Sequence, residues 1–170
     1  MNSYIRKIRK FFLIWDFEKE EDWLNEMSQN GWSLASVGLG TYSFIKADPG
    51  EYTIRLHMHS KDDEYLDIMR GSGAEYIGRI GSWVYFKRRA ELESFDVFSD
   101  LDSKLEHLGS ISRFLMIAGG VNLYLGEMNS LGQASRIAWI NLVAACFLMY
   151  GLGRIHGKAE ELKKQRLLHE

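Results

Sequence analysis

Asp22-Trp23-Leu24-Asn25-Glu26-Met27-Ser28-Gln29-Asn30-Gly31 is answered further along by Glu64-Tyr65-Leu66-Asp67-Ile68-Met69-Arg70-Gly71-Ser72-Gly73. An aromatic-leucine pair, a methionine and a glycine recur forty-two positions apart (23 to 65, 27 to 69, 31 to 73). In each copy the apolar residues fall three or four apart and form one stripe of an amphipathic helix. The glycine supplies the helix stop. After each helix come two alternating segments, 32–37 and 41–47 in the first copy and 74–79 and 82–88 in the second, which read as strand pairs ending in aromatics and lysine. The spacing therefore predicts strand–helix–strand–strand, twice.

Working outward, residues 10–17 are apolar on both faces and read as the first strand, covered on both sides. Asp16 opens the first helix, and Asn30-Gly31 ends it. Gly38 and Gly40 mark the turn between strands, and Asp48-Pro49-Gly50 is a strong turn. Residues 51–59 start the second copy, with Tyr52, Ile54, Leu56 and Met58 inward and Thr53, Arg55, His57 and His59 on the other face. The second helix is expected over 61–72. The class is α+β, a duplicated domain over residues 1–90 of ferredoxin-like type. Its arrangement resembles the paired modules of GyrI-like effector-binding domains, where a cleft between the copies takes small ligands; fold alone does not fix function.

Composition narrows the class. The chain has 170 residues, 13% aromatic, with one proline and no low-complexity stretch, which suits a packed domain plus an appendage. Net charge is -2, so nucleic acid is not expected as a partner. The lone Cys146 excludes an internal disulfide and a cysteine zinc site. Basic residues Arg6, Lys7, Arg9 and Lys10 precede a short apolar patch with no small-residue cleavage pattern, so no signal peptide is read there.

Beyond the repeat, Phe98, Leu101, Leu105 and Leu108 mark an amphipathic connector helix over 91–110. Two apolar segments follow, 111–126 and 137–153, near the lower limit of roughly 17 residues for a span. Lys104, Arg113, Arg154, Lys158, Lys163 and Lys164 flank the outer ends, while the linker over 127–136 has one arginine. By the positive-inside rule both termini are cytoplasmic, with a basic tail over 154–170. Residues 111–153 are thus expected as a transmembrane helical hairpin in the lipid bilayer. Gly119-Gly120 and Ala144-Ala145 would let the helices approach closely. The competing reading is a soluble hairpin packed on protein.

The ordered set Asp16, Glu20, Trp23-Leu24, Met27, Gly31-Trp32, Leu34, Tyr42, Phe44, Lys46, then Pro49, Gly50, Tyr52, Arg55, Leu56, then Trp83, Tyr85, Phe86 resembles the bacterial DUF2812 family. Phe98-Ser99-Asp100, Ser103-Lys104 and Glu106-His107 extend the likeness to about residue 108. The resemblance implies a cytoplasmic domain on membrane helices, and genomic company with PadR-type repressors implies a regulatory role.

Candidates for chemistry are few. Arg55 with Tyr42, Trp83 and Tyr85 could line a ligand cleft for an anionic or planar molecule; ordinary sheet packing is the alternative. His57 and His59 share a strand face and, with Asp62 or Asp63, are the only candidate metal pair; no third histidine of the domain completes the set, so no metal is expected. The acidic run 18–22 reads as a solvated first helical turn. Gly38-x-Gly40 and Gly71-x-Gly73 lack the Lys and Ser/Thr of a phosphate loop. The four N-terminal cations could touch anionic lipid headgroups. Trp23 and Trp32 read as core anchors. No catalytic residue and no cofactor is expected. The first functional expectation is a membrane-anchored binding or regulatory domain for a small molecule or a protein partner, with homo-oligomerisation open. The second is a structural or accessory subunit of a membrane complex; the third is a metal-dependent enzyme using His57 and His59.

Overall fold

The structure, a computed structural model, describes residues 5–59, 63–91, 101–131 and 135–169. The chain divides into two compact units, residues 1–97 and 98–170.

The first unit runs β1 (Ile5–Arg9), a 3-10 turn (Ile14–Asp16), α1 (Phe17–Gln29), β2 (Trp32–Gly38), β3 (Thr41–Lys46), β4 (Tyr52–Met58), α2 (Asp63–Gly71), β5 (Glu75–Ile80) and β6 (Trp83–Arg89). These form two antiparallel sheets, ordered β1-β3-β2 and β4-β6-β5. The repeat survives at the level of register. Leu34 faces Phe44 and Val37 faces Tyr42; forty-two positions on, Tyr76 faces Phe86 and Arg79 faces Val84. A β-bulge falls between Leu34 and Ser36 and again between Tyr76 and Gly78. Both helices stop at a glycine with positive φ, Gly31 at 79° and Gly73 at 84°, a conformation a Cβ would disfavour.

The helices are used differently. On the face of the second sheet bearing Val84 and Phe86, α2 packs Met69, with Tyr65 and Leu66 beside it. By contrast, α1 serves both sheets: Leu24 shares a core with Leu34, Tyr42 and Phe44 of the first and with Ile54, Leu56 and Tyr85 of the second. Each fully buried Leu or Phe there contributes about 2 kcal/mol. Strand β5 also approaches β2, where a Cβ on Gly78 would fall 2.9 Å from the Val37 side chain.

The first strand is not where hydrophobicity points. Residues 11–13 form no strand, residues 14–16 form the 3-10 turn, and Phe11 is 71% exposed. The strand is the basic segment Ile5–Arg9, which pairs with β3 along one side only. Pairing to a strong central strand overrides the sequence's own preference here. In the second copy, β4 pairs with β6 as the repeat requires.

The second unit is a helical hairpin of α3 (Leu101–Leu131) and α4 (Ser135–His169). The amphipathic connector from residue 101 onward and the first apolar segment are thus one helix; residues 92–100, including Phe98, lie outside the described residues. The helices also extend into the stretch read as a linker, of which residues 132–134 lie outside the described residues. Leu108, Ile111 and Leu115 are buried on α3, and Ala138, Ala145 and Ile155 on α4. Glycines set the approach: a Cβ on Gly119 would lie 2.5 Å from Met149 Cε, and one on Gly126 would lie 2.9 Å from Leu142 Cδ2. Gly120 faces open space, so only Gly119 of the predicted glycine pair serves the helix contact.

Both helices are long and apolar enough to cross a membrane, over Lys104–Leu131 and Arg136–Lys164. Only 22% and 17% of their most apolar windows are buried within the protein. At 1.5 Å per residue α3 is about 46 Å long, against a hydrocarbon core of about 30 Å.

Candidate functional site

The most unusual chemistry in the first unit is a carboxylate in its core. Glu20 lies on the buried stripe of α1 with Phe17, Leu24 and Ser28 and is 8% exposed. Two phenols converge on its Oε1: Tyr42 from β3 donates at 2.7 Å and Tyr85 from β6 at 2.6 Å. One oxygen on α1 therefore ties the two copies of the repeat together. Burial pushes the Glu20 carboxyl above the usual range, and the two phenol hydrogen bonds, which favour the carboxylate, oppose that shift. Both tyrosines are pushed up, by burial and by the adjacent carboxylate. A charged or polar group in a core stays only if its hydrogen bonds are made, and here they are made by groups from both sheets.

A second set of bonds lies along the edge of β4. The Asn25 amide accepts from Ile54 N–H at 2.8 Å and donates to Ile54 C=O at 3.0 Å. Glu21 Oε2 accepts from Leu56 N–H at 2.9 Å, and the Ser28 hydroxyl donates to Tyr52 C=O. Residues 21, 25 and 28 fall on one helical line, so a polar stripe of α1 occupies the open edge of the strand. Arg55 belongs to this arrangement, pairing with Glu21 Oε1 at 3.2 Å.

The predicted ligand set is thus distributed. Tyr42 and Tyr85, each 3% exposed, are brought together, on Glu20. Arg55 serves the α1–β4 contact. Trp83 is half-buried and packs against Phe17, with ring centroids 5.3 Å apart. Leu24 of α1 shares one hydrophobic core with residues of both copies. Glu20 was missed because it sits inside an acidic run; the signal was its position four residues before Leu24, on the apolar stripe.

His57 and His59 do come together, 5.6 Å apart between ring centroids, on the ring of Tyr65. His57 Nδ1 lies 2.6 Å from the Tyr65 hydroxyl, and His59 stacks on the same ring at 4.0 Å. The Arg79 guanidinium donates to the His59 carbonyl. Burial, with a smaller effect of His59, lowers His57 from 6.5 to about 4, so it is neutral at physiological pH. Tyr65 is pushed up to about 12 by burial. Asp62 lies outside the described residues, and Asp63 is exposed on α2. No group of three or more His, Cys, Asp or Glu suited to a metal occurs among the described residues.

Residues 16–119 match the family described as "Protein of unknown function (DUF2812)". The chain belongs to the DUF2812 family. The DUF2812 match opens at Asp16, immediately before α1, and closes at Gly119 inside α3. It therefore contains Glu20, Tyr42, Tyr85 and the whole stripe on β4. Strand β1 and helix α4 lie outside it. No curated protein and no solved structure matches the chain.

Proposed function

We propose that this DUF2812 protein is a membrane-anchored binding or regulatory domain. Its hairpin crosses the bilayer with both termini in the cytoplasm, and the duplicated domain holds a partner at the inner face. The observation that carries the reading is the outward face of the hairpin. Met116, Ile117, Val121 and Tyr124 on α3 and Trp139, Ile140, Val143, Phe147 and Tyr150 on α4 are all exposed, and large exposed apolar surface of this kind marks a membrane or protein contact. The excess of lysine and arginine beyond the outer ends of the two segments supports the orientation.

A protein partner is favoured over a small molecule between the copies, because Leu24, Tyr42, Tyr85 and Glu20 pack and bond with one another where the copies meet. The partner surface would then lie on the outside of the domain. We assign it no catalytic role.

Membrane fractionation with an alkaline carbonate wash tests the anchor, comparing the full chain with a fragment ending at Arg89. The full chain is expected in the washed pellet and the fragment in the supernatant. A full chain released by carbonate would overturn the anchor and turn the search toward a soluble protein covering the hairpin.

A further inference from the structure

At one end of the first sheet, the chain leaving β1 meets the β2–β3 turn. Lys10 N–H donates to Gly40 C=O at 3.1 Å, and a Cβ on Gly40 would lie 3.6 Å from the Phe11 ring and from Lys10 C=O. Two large apolar side chains stand out from this junction: Phe11 at 71% exposure and Leu39 at 82%, the most exposed large hydrophobic of the described residues. The strand that leads to this junction is rich in cations. Arg6, Lys7, Arg9 and Lys10 are all exposed, and none makes an ion pair with a carboxylate among the described residues. Their placement is split. Lys7 and Arg9 pair with Ser43 and Thr41, on the sheet face opposite Tyr42 and Phe44, while Arg6 and Lys10 sit over the rings of Trp32 and Trp23.

The second copy repeats the backbone junction, His59 N–H donating to Ser82 C=O at 2.9 Å, but not the leucine. Forty-two positions beyond Leu39 the corresponding turn carries Gly81. The folding of the repeat therefore does not require a leucine at the tip. Exposed aromatic and aliphatic side chains at the end of a strand whose cations no carboxylate neutralises have the chemistry of a surface that enters the headgroup layer of an anionic bilayer: the apolar groups reach the acyl boundary and the cations meet phosphate and carboxylate.

We infer that the Phe11–Leu39 tip, with Lys7, Arg9 and Lys10, is a second membrane contact that lays the duplicated domain on an anionic lipid surface. The inference rests on the anchoring proposed for the hairpin, which holds the domain within reach of the bilayer, so that a weak contact suffices. Each cation near such a surface adds about fivefold to the partition. The occupant is the lipid surface rather than a second copy, because two β1 strands side by side would oppose like charges.

The test uses the full chain reconstituted into vesicles, with Cys146→Ser removing its lone thiol and Leu39→Cys carrying an environment-sensitive fluorophore. Phosphatidylcholine vesicles are compared with an equal mixture of phosphatidylcholine and phosphatidylserine. A blue shift of the label, and its quenching by lipid-borne quenchers, are expected only in the mixed vesicles. Both should vanish on Lys7→Glu with Arg9→Glu, and in molar salt. The same label at Ser82, in the matching turn of the second copy, should stay in water in either lipid. Emission at position 39 that ignores lipid charge or the charge reversal overturns the contact, as does an equal shift at Ser82. Carbonate resistance, measured on the same vesicles, reports the hairpin separately, so loss of the tip contact and loss of the anchor are distinguishable.

Discussion

The two copies of the repeat share a register down to the position of a bulge, yet α1 packs one face against both sheets and α2 covers only its own. The difference lies in the residues off the shared apolar stripe. Asn25 and Ser28 bond to the backbone of β4, whereas their counterparts forty-two positions on, Asp67 and Arg70, pair with each other in solvent at 2.9 Å. The strands diverge in parallel. The edge of β4 is occupied by α1; its counterpart β1 is an exposed strand with three cations among five residues. A duplicated pattern thus fixes each unit's internal register, and a handful of polar residues decides how the units join.

Removing the polar tie between the copies should be the heaviest blow. Glu20→Ala deletes the acceptor of two buried phenols, each left with a desolvation penalty of about 1–3 kcal/mol. A loss of about 3 kcal/mol is expected in urea unfolding followed by tryptophan fluorescence, since Trp15, Trp23, Trp32 and Trp83 all lie in the first unit. Glu20→Gln keeps an acceptor for both phenols and removes a carboxyl whose ionisation burial disfavours, so it should cost much less. If the two variants unfold alike, the hydrogen bonds are not what joins the copies.

Next in size is the edge of β4. Asn25→Ala leaves Ile54 N–H without its side-chain partner and Ile54 C=O with only the Arg55 guanidinium, and should cost about 2 kcal/mol. The matched change in the other copy, Asp67→Ala, removes half of an exposed i,i+3 pair and should stay within about 0.5 kcal/mol. Equal losses at 25 and 67 would dissolve the contrast between the helices.

Much of this was legible in advance, and the failures have physical reasons. Trp23, Leu24, Met27 and Gly31 with their echoes at 65, 66, 69 and 73 were enough for two helices, two stops and the strand pairs after each. What pattern-reading missed was set by tertiary partners. The run Phe11 to Trp15 has the hydrophobicity of a strand, but the β3 edge takes the basic segment before it. Glu20 sits among Glu18, Lys19, Glu21 and Asp22, where composition says solvent; only its phase relative to Leu24 says core. Tyr42 and Tyr85 were singled out for a cleft on residue type, and their meeting on one carboxylate needs the sheet-to-sheet arrangement that no local spacing carries.

The smallest expected effect concerns pH, and it separates the copies again. Strand pairing places His57 opposite Val84, whose counterpart Tyr42 faces Ile8 on β1, so one copy carries a titratable ring where the other carries an aliphatic side chain. His57 is lowered from 6.5 to about 4 in the folded chain. Between those values the unfolded chain binds a proton that the folded chain refuses, so stability is lost as pH falls through 6.5 and levels off below 4. For a half-buried ring screened by solvent the loss between pH 7 and pH 5 should be about 1 kcal/mol. Glu20, raised above its usual range, acts in the opposite sense, its contribution being lost as pH rises through its folded value. The two are separated by measuring urea midpoints from pH 7 to pH 5 in the wild type, in His57→Phe and in Glu20→Gln. His57→Phe should flatten the decline on acidification, while Glu20→Gln leaves that decline in place or steepens it. A decline that persists unchanged in His57→Phe would place the proton uptake elsewhere and remove pH from the contrast between the copies.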